Sequence, residues 1–236
     1  ITDTSPAVTP PSGGEISHGW EHARLAAAPM QALELAARRT GLTLGTVLHG
    51  AWALLLQRAN ANASTDVMFG SIASGRQGAL AGIDSVCGLV AVTQPLRVRV
   101  PAEATVASWL RLLQMQMAEL REHEHVPLAM VQQWSEVPAD KRPMFDSIVV
   151  VGNYVGSDLT ACRPAELDIT EVEYVTQPLF AYTLFATVEP DLAVSLVYDK
   201  RRCAAATARR LLDEFMQLLA DIGENPERRV GGLAVG

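Results

Sequence analysis

Cysteine and basic charge are scarce in this chain and long apolar runs are missing, and each shortage closes off a class of protein. The three cysteines, Cys87, Cys162 and Cys203, are widely spaced and odd in number, which suits buried, reduced thiols rather than a disulfide framework. Against 26 acidic residues stand 19 basic ones, a formal net charge of −7. With no basic stripe, a nucleic-acid partner is not expected. No apolar run reaches the length needed to cross a bilayer. The opening ITDTSPAVTPPSGG has neither the basic nor the apolar segment of a signal peptide. These absences predict a soluble, cytoplasmic domain with no membrane partner.

Motifs of familiar chemistry are missing as well. GSIASGR, residues 70–76, follows an apolar run in the manner of a phosphate-binding loop. That loop needs a lysine on the phosphate and a hydroxyl on magnesium, whereas Arg76 and Gln77 stand here. No helix is expected after it to hold a phosphate at its N-terminus. His123 and His125 lie two residues apart, not at the i,i+4 spacing of a helical zinc site, and there is no HExxH or CxxC. No metal is therefore expected, and the two histidines read as structural groups at a helix end. His18 and His22 share one face of a half-exposed strand. Glu171 and Glu173 are like charges on one strand face, where solvation is the simpler reading. No G-x-S-x-G elbow occurs. Arg76 and Asn153 remain as residues of unusual character. The fixed charge of Arg76 in an apolar stretch must find a carboxylate, a phosphate or water. The amide of Asn153 ends a long apolar strand, where it could face a cavity or simply close a turn.

What the chain has in abundance is apolar character, 49% of its residues, enough for a substantial core. Residues 1–14 have the proline, glycine and hydroxyl content of a linker, so the chain is expected to begin where something else ended. Residues 15–25 read as a short strand. Residues 27–40 form an alanine-rich helix stopped by Gly41. Residues 42–58 form a second helix with Thr43 as N-cap, apolar almost all round and so buried on more than one side. His49 within it reads as a packed core histidine. Residues 67–72 and 89–100 are β-rich runs flanking a glycine-bearing loop. Residues 104–122 are an amphipathic helix, and Pro127 opens a short one from its first position. Residues 144–155 are a continuous apolar run, expected to be a central strand covered on both faces. Strands are expected at 166–175, 179–189 and 191–199, the last two joined in a hairpin at Pro190-Asp191. Residues 204–222 form the last helix, stopped by Gly223 and Pro226. The fold class is α/β: a two-layer sandwich with a mixed, mostly antiparallel sheet and helices mainly on one face.

Several of these stretches, taken in order, carry a resemblance. FGSIASGR, then GLVAVTQPLRVRV, REHEHVPLAMVQ (residues 121–132) and MFDSIVVVGNY (residues 144–154) resemble the second half of a nonribosomal peptide synthetase condensation domain, a family similar in fold to chloramphenicol acetyltransferase. The likeness covers residues 15–230 and places a C-terminal lobe at 15–236. In that family two lobes form a V, and the pantetheine arms of donor and acceptor carrier proteins meet in a tunnel between them. The HHxxxDG motif of the first lobe positions the acceptor amine for acyl transfer. This sequence has no adjacent histidine pair, so the resemblance implies no catalytic residue here and a lobe inactive alone.

The resemblance implies that Arg76 bonds the HHxxxDG aspartate across the lobe interface, and that Asn153 lines the acceptor side. Ser74, Gly75 and Gln77 would belong to the same tunnel or interlobe region, and the loop 77–88 to the tunnel floor. Residues 155–177 would include a bridging latch. The implied partners are the N-terminal lobe, donor and acceptor peptidyl carrier proteins and an adjacent adenylation domain. No cofactor is bound directly; phosphopantetheine arrives on the carriers. One departure is Val92, where the family has asparagine, which leaves the condensation subtype open. The alternatives are a non-catalytic scaffold module of the same fold, or the matching lobe of an epimerisation, cyclisation or terminal acyltransferase domain. Self-assembly through the uncovered lobe face is a further one.

Overall fold

The structure, a computed structural model, describes residues 18–60, 64–76, 82–136, 143–152, 179–188 and 191–233. Among the described residues, six strands make one mixed sheet: β1 (His18–Arg24), β2 (Asp66–Ala73), β3 (Val92–Arg99), β4 (Ser147–Val151), β5 (Tyr182–Val188) and β6 (Leu192–Asp199). Their order across the sheet is β1-β6-β5-β4-β2-β3. β4 runs parallel to both β2 and β5, and the other neighbours are antiparallel. The helices that accompany the sheet are α1 (Ala27–Thr40), α2 (Leu44–Ala59), α3 (Val106–Glu122), α4 (Leu128–Trp134) and α5 (Ala205–Glu224).

Alternation along each strand sorts side chains between two faces. On one face Val67, Phe69, Leu96, Val98, Val149, Leu184, Leu196 and Tyr198 join a single large core with residues of α1, α2, α3 and α5. α2 is its axis, as its all-round apolar sequence predicts: residues 46–56 are all buried. Trp52 donates from its indole to Ser147 Oγ at 3.2 Å and meets Phe215 edge-on, which ties α2 to β4 and α5. Thr43 is the N-cap of α2, accepting from Thr46 N, and Thr105 caps α3 in the same way through Ser108 N. The edge of β3 is closed by α3, whose Trp109 Nε1 and Gln116 Nε2 donate to the carbonyls of Arg99 and Arg97. This shields one strand edge from foreign pairing.

Several expectations need correction. α5 does not stop at Gly223 but runs on to Glu224. Gly223 is there because a Cβ would stand 2.8 Å from Leu33 N and 3.0 Å from Leu33 Cα, so the glycine lets α5 lie against the backbone of α1. Pro127 is the N-cap of α4 rather than its first residue. The strand expected at 89–100 begins only at Val92, and, among the described residues, the apolar run of 144–155 contributes Ser147–Val151 to the sheet. Cys203 is buried as expected, but Cys87 is exposed. The strand expected at 166–175, the hairpin turn at Pro190, the linker 1–14, Cys162, Glu171 and Glu173 lie outside the described residues. Among the described residues, no helix is long and apolar enough to cross a membrane.

Candidate functional site

The second face of the sheet carries a smaller apolar cluster, Met68, Phe145, Ile148 and Val150, with Ile72, Leu128, Phe180 and Phe185 packed against it. Strand register arranges this face in rows. One row runs Trp20, Val197, Thr183, Ile148, Gly70, Pro95 across all six strands. The next carries His22, Ser195, Phe185 and Val150. Trp20 is 36% exposed and stacks on both His22, at 5.9 Å between centroids, and Phe185, at 6.2 Å. His22 Nδ1 and Ser195 Oγ share a 2.8 Å hydrogen bond. In the same rows Thr183 Oγ1 is buried with no partner among the described residues. The face is thus an apolar wall with an aromatic rim at the β1 edge. Strand alternation in the sequence places His18 and His22 on one face but has no means of pairing that face with Phe185, 163 positions beyond His22, because only sheet order brings β1 and β5 together.

β2, β4 and β5 are parallel, so the segments that follow them leave from one end of the sheet. This is the end at which open α/β sheets commonly bind ligands. Ser74, Gly75 and Arg76 stand there, and so does Gly152, whose N–H donates to the Ala186 carbonyl at 3.1 Å. Ser74 Oγ accepts from Arg76 N at 3.3 Å. Gly75 has φ +67, and any Cβ on it would overlap the Val90 carbonyl oxygen, so glycine is required there on two counts. The Arg76 guanidinium turns back on its own loop: Nη1 donates to the Ile83 carbonyl at 2.9 Å and to the Val86 carbonyl at 3.1 Å. Arg76 therefore fastens the 3₁₀ turn Ile83–Ser85 to the end of β2. The structure brings Ser74, Gly75 and Arg76 together; Gln77 and Asn153 lie outside the described residues.

Below this end sits a histidine. His49 Nε2 accepts from the Ser71 hydroxyl at 2.8 Å and Nδ1 donates to the Gly45 carbonyl at 2.7 Å. Burial pushes its pKa down to about 4, so the ring is neutral at pH 7. A serine bonded to a histidine oriented by a carbonyl has the outline of a nucleophile and base. Here the imidazole is 4% exposed and the serine sits inside a strand paired on both sides, so the pair ties α2 to β2. The reading of His49 as a core histidine agrees. Among the described residues, no three His, Cys, Asp or Glu side chains are grouped to hold a metal. His123 ends α3 as its C-cap, the structural place expected of it.

A condensation domain profile matches residues 5–235. The chain belongs to the condensation domain family. This condensation-family chain is 35% identical over 206 residues to a linear gramicidin synthase of Brevibacillus parabrevis, covering 87% of the chain and 4% of that protein. It is 34% identical over 219 residues to chondramide synthase cmdD of Chondromyces crocatus, covering 92% and 5%. Among solved structures it is similar to the X-domain from teicoplanin biosynthesis, with a TM-score of 0.76 at 21% identity over 93% of this chain and 50% of that one. It is also similar to the first condensation domain of the calcium-dependent antibiotic synthetase, with a TM-score of 0.72 at 18% identity over 94% and 48%. The family chain thus spans about half the length of these solved chains and a small fraction of the synthases.

Proposed function

We propose that this chain is the C-terminal lobe of a condensation domain in a nonribosomal peptide synthetase. In this reading it completes the tunnel in which a partner lobe's HHxxxDG histidine drives amide formation between a carrier-bound acyl donor and a carrier-bound amine. The observation that carries the reading is the pairing of a condensation-family chain with a sequence holding no two adjacent histidines. The apolar sheet face supports it, since such a wall suits a second lobe or a tethered acyl group. The Arg76-fastened loop at the parallel end supports it too, as a preformed floor. Arg76, Ser74, Gly75, Gln77 and Asn153 are the tunnel or interlobe residues of this reading, and none of them is catalytic. Phosphopantetheine enters only on donor and acceptor carrier proteins, with an adenylation domain alongside.

Acyl transfer between phosphopantetheine-loaded carrier proteins tests this. The chain alone is expected to give no peptide product, and a polypeptide that also carries an HHxxxDG lobe is expected to give product. Turnover by the chain alone would overturn the reading. A second reading is an interaction module without chemistry. One fold neighbour, the teicoplanin X-domain, was solved in complex with OxyB. Absence of HHxxxDG from the polypeptide that contains this chain would favour that module.

A further inference from the structure

The imidazole of the His49–Ser71 pair is buried, whereas in the His22–Ser195 pair the histidine is exposed and the serine half-buried on the second sheet face. Strand register builds this second pair. Leu25 N donates at 3.0 Å to the carbonyl of Leu192, the residue that faces it when the β1–β6 register is continued. Three residues back along β1, His22 and Ser195 therefore form a non-hydrogen-bonded pair. In such pairs the Cα atoms lie about 4.5 Å apart and the side chains stand closest. Both side chains rise on the face of the apolar cluster, in the row that continues through Phe185 and Val150. With the imidazole hydrogen on Nε2, the Ser195 hydroxyl donates to His22 Nδ1 at 2.8 Å, and the ring is stacked on Trp20. We propose that Ser195 and His22 form an acyl-transfer site, nucleophile and base, for thioesters of short aliphatic acids whose chain lies along Phe185 and Val150.

A hydroxyl held by its base and opening onto an apolar wall fits an acyl carbon that bears a hydrocarbon tail. Ser195 Oγ bonds to the acyl carbon and passes its proton to His22 Nδ1. The carbon–sulfur bond breaks, and the departing sulfur takes that proton. The products are a serine ester and a free thiol. Water then attacks the ester in the same way, which releases the acid and restores the serine hydroxyl. General-base assistance of this kind contributes about 10²–10⁴-fold. The apolar wall favours a butyryl over an acetyl group, because it takes the added methylenes out of water. The site uses no residue of a partner lobe, so failure of the carrier-protein assay leaves it standing, and its own failure leaves the condensation reading untouched.

Release of thiophenol from S-phenyl thiobutyrate by the full chain tests this, measured against buffer alone, with the butyryl group located by mass spectrometry of peptides. The native chain is expected to release thiol at least about tenfold faster than Ser195→Ala and to carry the butyryl group on Ser195. His22→Gln keeps a hydrogen-bonding side chain but no base, and is expected to fall to the rate of Ser195→Ala. Both positions lie on the second face, outside the main core, so an unchanged urea midpoint is expected in each variant. S-phenyl thioacetate is expected to react several-fold more slowly relative to its buffer rate. A native rate no higher than that of buffer, equal rates in the native chain and Ser195→Ala, or full activity in His22→Gln would overturn the proposal. So would a butyryl group found on the exposed Cys87 thiol in place of Ser195, or no preference for butyryl over acetyl.

Discussion

At the scale of single residues, two side chains hold separate stretches of the chain together. Arg76 donates to the carbonyls of Ile83 and Val86 across a loop. His49 gives its charge up, because burial leaves the neutral ring as the form that fits between Gly45 and Ser71. The sign of the consequence follows from linkage. The folded state holds the His49 pKa near 4, below the ordinary value of 6.5, so the unfolded chain takes up the proton first as pH falls. Stability from this residue is complete above about pH 6.5 and is lost between there and pH 4, about 1 kcal/mol of it between pH 7 and 5.5. Urea unfolding at those two pH values, where most carboxylates stay ionised, is expected to show that loss in the native chain. The difference is expected to shrink in His49→Gln. An equal pH dependence in both proteins would contradict the assignment.

Between elements, packing decides a substitution that propensity gets wrong. Gly→Ala in an exposed helix interior stabilises by about 1 kcal/mol. Gly223→Ala is expected to do the reverse, because the new methyl meets Leu33 N and Cα, backbone atoms of α1 that cannot swing aside. The two helices must part, at a cost of roughly 1–3 kcal/mol, read as a lower urea midpoint with an unchanged slope. The start of α3 is held from the same region of the chain. Val106 N and Ala107 N donate to the carbonyls of Arg228 and Pro226, and Val230 N donates to the Ala104 carbonyl. The carboxy-terminal turn is thus a cap on α3, and shortening the chain before Pro226 is expected to cost α3 its first turn. Hydrogen exchange at Val106 and Ala107 would detect this.

For the molecule as a whole, one sheet face is filled by α1, α2, α3 and α5, and the other bears an apolar cluster with an exposed tryptophan at its rim. If that face meets a second lobe, a charge at the rim should separate association from folding. Trp20→Glu, at a site already 36% exposed, is expected to change stability by less than about 1 kcal/mol. Sedimentation of the substituted chain with an HHxxxDG lobe is expected to show at least about tenfold weaker association. Undiminished association would move the interface elsewhere.

The sequence by itself determined the helices, the Thr43 cap, the core role of His49, the α/β class and, through ordered motifs, the family. These are signals of short range: helical spacing, a capping hydroxyl, glycine beside a strand. They survive because each is read within a few residues of the chain. Sheet order, the Trp20–Phe185 rim, the true reason for Gly223 and the hold of Arg76 on its own loop came only with the tertiary structure. Each depends on residues brought into contact by parallel pairing, by helix crossing or by loop closure, and one-dimensional spacing carries no record of those contacts.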